Sequence, residues 1–191
     1  MSPKWVRTAS VHGILLQIDH DLAEQARCRG CGCGGKLHSA SYPRKPRGVP
    51  DALAAQHDRR RSFCCARDGC RRRTTPPSVR FLGRRVYLGV VVVLLSALAQ
   101  GATALRLRRL RAVLGEVSER TLERWRRWWR EIFPTTEFWR EHGARLSPPV
   151  ATRQMPASLL ARFVGDAGAR LIAMMRFLAP LTTGSCRLEA G

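Results

Sequence analysis

The sequence has few acidic residues and almost no lysine. Its 191 residues hold 14 Asp and Glu against 34 Lys and Arg, a formal net charge of +20, and nearly all the positive residues are arginine. A compact protein tolerates such a charge poorly unless a polyanion neutralises it. Because arginine grips phosphate and the guanine edge through two parallel hydrogen bonds, the composition indicates nucleic acid as the first candidate partner and an anionic membrane surface as the second.

We expect neither a leader peptide nor an uninterrupted membrane span. The apolar stretch after the N-terminus is broken by polar residues in the range 12–21, so the cytoplasm, and there the nucleoid, is the expected location. Residues 86–105 carry no charge and reach the length of a bilayer span. Because Gln100, Gly101 and Thr103 interrupt this stretch, we expect a buried helix, with a single transmembrane helix at 86–105 as the alternative.

Six of the seven cysteines fall in two groups within residues 28–70. Cytoplasmic thiols stay reduced, so clustered cysteines indicate a metal rather than disulfides. Two short cysteine pairs separated by a loop can offer four sulfurs to a tetrahedral Zn²⁺ ion. We predict the ligands Cys28, Cys31, Cys65 and Cys70. A closed four-thiolate site leaves no position for water, so this Zn²⁺ would be structural.

Two of these assignments have competitors. Alternation along a strand places Phe63 and Cys65 on one side and Cys64 on the other, which favours Cys65, but Cys64 could replace it. In the first group, Cys33 competes with Cys31, and His38 is a more distant candidate. The loop between the predicted pairs has 33 residues, longer than the roughly 15 to 20 of a usual zinc ribbon.

The apolar spacing over residues 102–133 predicts a helix-turn-helix. The first helix covers 102–114, and the second begins after the N-cap Ser118 and ends before Pro134. Leu122 and Trp125 would face the core, which turns an arginine-rich face outward to the major groove. The residues expected to contact DNA are, in the helix, Arg120, Thr121, Arg124, Arg127 and Arg130 and, beside the second cysteine group, Arg71, Arg72 and Arg73.

Together, the Cys-x2-Cys pair, the basic loop, the second cysteine group and the run Leu-Gly-Glu-Val-Ser-Glu-Arg-Thr-Leu-Glu-Arg-Trp at 114–125 resemble the N-terminal DNA-recognition part of insertion-sequence transposases. The resemblance covers about residues 28–133 and implies binding to the terminal repeats of a mobile element. Such transposases continue into a catalytic domain with three metal-binding acids. Only Asp166 and Glu189 are acidic in the last 45 residues, so we expect a chain that does not cut DNA.

The predicted fold is mostly α-helical, with a small zinc-ribbon-like β module before a helical domain. Its segments are an N-terminal arm and short helix (1–27), the zinc-ribbon-like module (28–82), the helix-turn-helix domain (83–146) and a C-terminal helical segment and tail (147–191). The expected function is sequence-specific binding to double-stranded DNA by a non-catalytic, transposase-like or mobile-element-associated protein. A homodimer and a separate transposase are candidate partners, and a free-standing transcriptional regulator is the alternative function.

An enzymatic site would have to use the scattered residues His12, Asp19, His20 and Asp21 near the N-terminus. This group is more typical of a capped helix start. We therefore expect no catalytic residues.

Overall fold

The structure is a computed structural model that describes residues 8–44, 54–55, 57–81, 108 and 118–183. Helices predominate in these residues, and small antiparallel sheets lie beside a cysteine cluster, as the predicted fold class requires. The buried helix predicted within 86–105, and with it the transmembrane alternative, lies outside the described residues. Of the helix predicted at 102–114 only Arg108 is described, and it is helical and exposed. Within the described ranges, no helix is both long and apolar enough to cross a bilayer.

Helix α1 covers Thr8–Arg29. Leu15 and Ile18, three positions apart, are buried on one side of it, and the helix ends where Gly30 adopts a φ of 69°. An arm and a short helix were predicted in 1–27, whereas the described residues of that range form one continuous helix from Thr8 onward. Its buried side includes the polar residues His12 and Asp19, so the break in the apolar pattern did not mark a helix start. Asp19 is not a cap but is buried in the middle of the helix.

Two small sheets form the β region. Strands β1 (Leu37–Ser39), β4 (Phe63–Cys65) and β5 (Arg73–Thr74) make one sheet in the order β1-β4-β5, and β2 (Tyr42–Pro43) pairs with β3 (Arg59–Arg60) in the other. All pairings are antiparallel. We call residues 30–44 and 57–75 the Cys module.

No strand forms over residues 78–81. Side chains, rather than a neighbouring strand, accept the backbone N–H groups there. Ser78 donates to Thr182 Oγ1 at 2.7 Å, Val79 to Asp19 Oδ1 at 2.6 Å and Arg80 to Ser78 Oγ at 3.1 Å. Because these N–H groups already have acceptors, they are not available for hydrogen bonds to a neighbouring strand.

The second half of the described chain is helical. Ser118, Thr136 and Asp166 each accept a backbone N–H with the side chain and so cap a helix. The elements in chain order are α2 (Glu119–Arg127), a π-helical turn (Trp128–Ile132), a 3-10 turn (Phe133–Thr135), α3 (Glu137–Gly143), a 3-10 turn (Thr152–Gln154), α4 (Ala157–Leu160), α5 (Ala167–Leu178) and a 3-10 turn (Ala179–Thr182).

Apolar side chains form two cores. The larger one joins α1 and the segment before residue 82 to the helices after residue 118, and it includes Leu15, Val79, Trp129, Leu159 and Met175. The smaller one lies between α1 and the Cys module and contains Ala23, Cys31, Leu37, Phe63 and Cys65. Because α1 contributes to both cores, it holds the Cys module against the helical part.

Candidate metal centre and nucleic-acid interface

Four cysteine sulfurs meet at one point of the Cys module. The Sγ atoms of Cys31, Cys33, Cys65 and Cys70 all lie within 4.8 Å of one another. The Cys33 sulfur is 3.5 Å from those of Cys31 and Cys65, and the Cys31 and Cys70 sulfurs are 3.6 Å apart. Four sulfurs at about 2.3 Å from a Zn²⁺ ion form a tetrahedron with edges of about 3.8 Å. The cluster therefore has the dimensions of a tetrahedral thiolate site and could hold a metal ion.

The first pair is held by a glycine-rich turn that follows α1. Gly34 has a φ of 76° and donates its N–H to the Cys31 carbonyl at 2.8 Å. A Cβ on Gly35 would lie only 2.4 Å from the Cys65 sulfur. Only glycine fits at position 35, because the backbone there passes directly against the sulfurs.

The second pair is held by a turn between β4 and β5. Cys70 donates its N–H to the Arg67 carbonyl at 3.1 Å, and Gly69 has a φ of 80°. The Arg67 guanidinium reaches across to the Cys33 carbonyl, with an N···O distance of 2.6 Å. This hydrogen bond ties the two turns together.

Backbone N–H groups point at three of the sulfurs. The Gly35 N–H, followed by the neighbouring thiols, lowers the pKa of Cys33 to about 6. The Arg67 N–H acts in the same direction on Cys65, but burial and the adjacent thiols outweigh it and raise the pKa of that thiol to about 12. Cys70 likewise receives the N–H of Arg72. Hydrogen bonds of this kind favour the thiolate form that a metal needs.

The cluster contains three of the four predicted ligands, and the fourth position belongs to Cys33. Cys28 is exposed in the last turn of α1 and is not part of the cluster. The prediction assumed that the turn began at residue 28, whereas the helix continues to Arg29. Cys64 faces away from the cluster, and its thiol donates to the Arg71 carbonyl at 3.4 Å. His38 is exposed outside the cluster.

A buried ion pair fixes the Cys module to α1. Asp19 Oδ2 lies 2.7 Å from Arg80 Nε, and both side chains are almost completely buried. Ser78 Oγ donates to the same carboxylate oxygen at 2.6 Å, and Arg80 also donates to the Arg59 carbonyl at 3.1 Å. Asp19 therefore has a structural role, and the same holds for the other acid of the N-terminal group, Asp21, which pairs with Arg176 at 2.6 Å.

Two histidines lie beside this ion pair. The rings of His12 and His57 are 5.5 Å apart in an edge-to-face arrangement, and both are buried. Burial, followed by the charge on Arg80 and the ring of His12, lowers the pKa of His57 to about 4. The histidine is therefore neutral at physiological pH.

Helix α2 presents two different faces. Leu122 and Trp125 are buried in the larger core, whereas the opposite face is polar. The exposed residues of that face and of the following turn are Glu119, Arg120, Glu123, Arg124, Arg127 and Arg130. Among the described residues, Arg120 and Arg124 make no ion pair. Arg127 is held by Glu131 at 2.7 Å, an exposed contact that water screens strongly.

The remaining residues predicted to contact DNA have different surroundings. Thr121 is half-buried, and its hydroxyl lies 2.9 Å from that of the capping Ser118. Arg71, Arg72 and Arg73 are exposed. Arg71, with a φ of 43°, pairs with Asp68 at 2.8 Å. The turn predicted between residues 114 and 118 lies outside the described residues.

Comparisons of the chain with protein-family models, with curated proteins and with solved structures give no match.

Proposed function

We propose that this chain is a sequence-specific DNA-binding protein whose Cys module carries a structural Zn²⁺ ion. The observation that carries the proposal is the division of α2, where Leu122 and Trp125 are buried and Arg120 and Arg124 are exposed without an ion pair among the described residues. A helix with this division can pack on its own protein and still enter the major groove.

Zinc is the metal that best fits the cluster. Four cysteine sulfurs at tetrahedral spacing, two of them from each turn, are the donor set of structural zinc sites. Since the four protein ligands fill the coordination shell, the ion would fold the Cys module rather than activate water. Cys31, Cys33, Cys65 and Cys70 would hold it as thiolates.

The exposed arginines of α2 and of the turn after it would have two roles in DNA recognition, contact with bases and contact with phosphates. Arg120 and Arg124, one turn apart, are placed to donate to guanine O6 and N7 in the major groove. Arg127 and Arg130, nearer the end of the helix, would contact phosphates, as would Arg71, Arg72 and Arg73 of the Cys module. A net charge of +20 supplies the salt-dependent part of the affinity.

The biological role we infer is recognition of mobile-element ends without cleavage. Its support is the resemblance of residues 28–133 to the DNA-recognition part of insertion-sequence transposases and the scarcity of acids in the sequence. A two-metal cleavage site needs several converging carboxylates. A separate transposase, and a second copy of this chain in the nucleoid, are the protein partners that this role would require.

Selection of bound sequences from random duplex DNA tests the proposal. Wild-type protein should enrich a defined sequence, and Arg124→Ala should relax the preference at one base pair at a cost of about 1 to 3 kcal/mol. Arg153→Ala removes an exposed arginine from the turn Thr152–Gln154 and should leave the selected sequence unchanged.

Two results would contradict the proposal. If the wild-type protein enriches no sequence, specific recognition fails. If Arg124→Ala weakens binding equally to all sequences, Arg124 contacts phosphate rather than a base. A selected palindrome would favour the transcriptional regulator over the mobile-element role, whereas an asymmetric site that matches inverted-repeat ends would favour the latter.

A further inference from the structure

The ring of Tyr42 in β2 lies close to two arginine side chains of the Cys module. The guanidinium carbon of Arg44 lies 4.8 Å from the centre of its ring, and that of Arg73, in β5, lies 5.6 Å from it. A guanidinium within about 6 Å of a tyrosine ring is attracted to its negative face. One ring therefore brings together two positive charges from separate parts of the chain.

Arg59, in the same strand pair, is not part of this group. Tyr42 pairs with Arg60 and Pro43 with Arg59, so the Arg59 side chain lies on the other face of the strand pair, where it donates to the Ser41 carbonyl at 3.1 Å. Arg73 is exposed and Arg44 is half-buried, so the two guanidiniums beside Tyr42 are open to a ligand.

Nothing in the described part of the protein neutralises these two charges. No described carboxylate lies within ion-pairing distance of Arg44 or Arg73. The Cys module holds nine Arg and Lys against two Asp, and one of the two, Asp68, already pairs with Arg71. Like charges that converge without a counter-charge repel one another, and a bound anion removes that repulsion.

We propose that Arg44 and Arg73, arranged around Tyr42, form a subsite for one phosphate of the DNA backbone. This inference rests on the proposed function and adds to it a contact made by the strand pair rather than by α2. Arginine forks match the oxygens of a phosphate in pairs, and a phosphate contact fixes the position of a protein on the duplex without reading its sequence. Tyr42 acts as a positioning residue that orients the arginines.

The salt dependence of duplex binding tests the subsite. The variant Arg44→Gln with Arg73→Gln should lose one phosphate contact, so the slope of log K against log salt should become less negative by about 0.9. The preferred sequence should stay the same. The control variant Arg145→Gln with Arg153→Gln removes the same charge from exposed positions after α3 and should keep the wild-type slope.

Two substitutions at Tyr42 separate orientation from charge. Tyr42→Phe keeps the ring and should keep the slope, whereas Tyr42→Leu should shift it as the arginine variant does. Metal content and thermal unfolding of each variant report whether the Cys module is folded. If Tyr42→Leu does not fold, the arginine variant decides the result by itself.

Three outcomes would overturn the inference. An unchanged slope in the folded arginine variant excludes the phosphate contact while leaving recognition by α2 intact. An equal change in the variant and in its control shows a general charge effect instead of a subsite. If wild-type protein binds no duplex at low salt, the proposed function and this inference fail together.

Discussion

Asp19 and Arg80 form a buried ion pair at 2.7 Å although 61 residues separate them in the sequence. The pair connects the middle of α1 to the segment that leaves the Cys module. Ser78 Oγ and the Val79 N–H complete the coordination of the carboxylate, so its two oxygens accept three hydrogen bonds. A charge buried in this way is stable only while its partners remain.

Removal of the carboxylate should destabilise the protein strongly. Asp19→Ala leaves the Arg80 guanidinium buried without a counter-charge, which costs about 3 to 5 kcal/mol of the free energy of unfolding. Urea denaturation followed by circular dichroism measures this loss. Asp21→Ala, which removes the exposed pair with Arg176, is the control and should change the unfolding midpoint little. Equal effects would show that the buried pair has no special role.

The metal ligands can be separated by single substitutions. Cys33→Ser should release the bound metal, because three sulfurs and a hydroxyl hold Zn²⁺ less well than four thiolates. Cys28→Ser should retain about one metal ion per chain. Elemental analysis of the purified proteins measures both values. Retention by Cys33→Ser together with loss by Cys28→Ser would reverse the ligand assignment.

Gly35 should be as important to the cluster as a ligand. Gly35→Ala places a Cβ about 2.4 Å from the Cys65 sulfur and should abolish metal binding without removing any sulfur. Gly32→Ala is the matched control in the same turn, because a Cβ at Gly32 meets nothing within 4 Å. Cobalt substitution, read from the thiolate charge-transfer absorption, checks both variants. A normal cobalt spectrum for Gly35→Ala would contradict the packing described here.

Stability should fall with acidity through His57. The pKa of His57 is lowered to about 4 in the folded protein, whereas an unfolded histidine titrates near its ordinary value of about 6.5. The unfolded state therefore binds more protons as the pH falls from about 6.5 to about 4, and the folded state loses on the order of 3 kcal/mol.

His57→Phe keeps a ring against His12 and removes this titration. The free energy of unfolding, measured between pH 7 and pH 4, should decrease more steeply for the wild type than for the variant. Protonation of the metal ligands affects both proteins and cancels in the difference. Parallel curves would show that His57 does not carry the effect.

Local patterns predicted the helical part of the described fold well. Ser118 was identified as a helix cap from residue type and position, and it caps α2. The spacing of Leu122 and Trp125 correctly indicated the buried face of α2. Both signals act within one or two helical turns, so the sequence contains them directly.

Contacts between distant segments could not be predicted in this way. In the sequence, Asp19 belongs to a group of residues typical of a helix start. Only the folded chain brings Arg80 to it. The choice of Cys33 over Cys28 depends on where α1 ends, and helix ends are poorly defined by sequence. The sequence did contain one signal for Cys33 as a ligand, the glycines at 32, 34 and 35. A tight turn at these glycines places the sulfurs of Cys31 and Cys33 side by side.

Because α1 contributes residues to both cores, the Cys module cannot be separated from α1 without loss of part of its core. Ile18 belongs to the helical core and Ala23 to the core of the Cys module, only five residues apart on one helix. A gene fusion that took the chain only from residue 28 onward would lack Ala23, which belongs to the core of the Cys module, and Asp19, the acidic partner of Arg80. The smallest unit that recombination could move intact therefore begins at the start of α1.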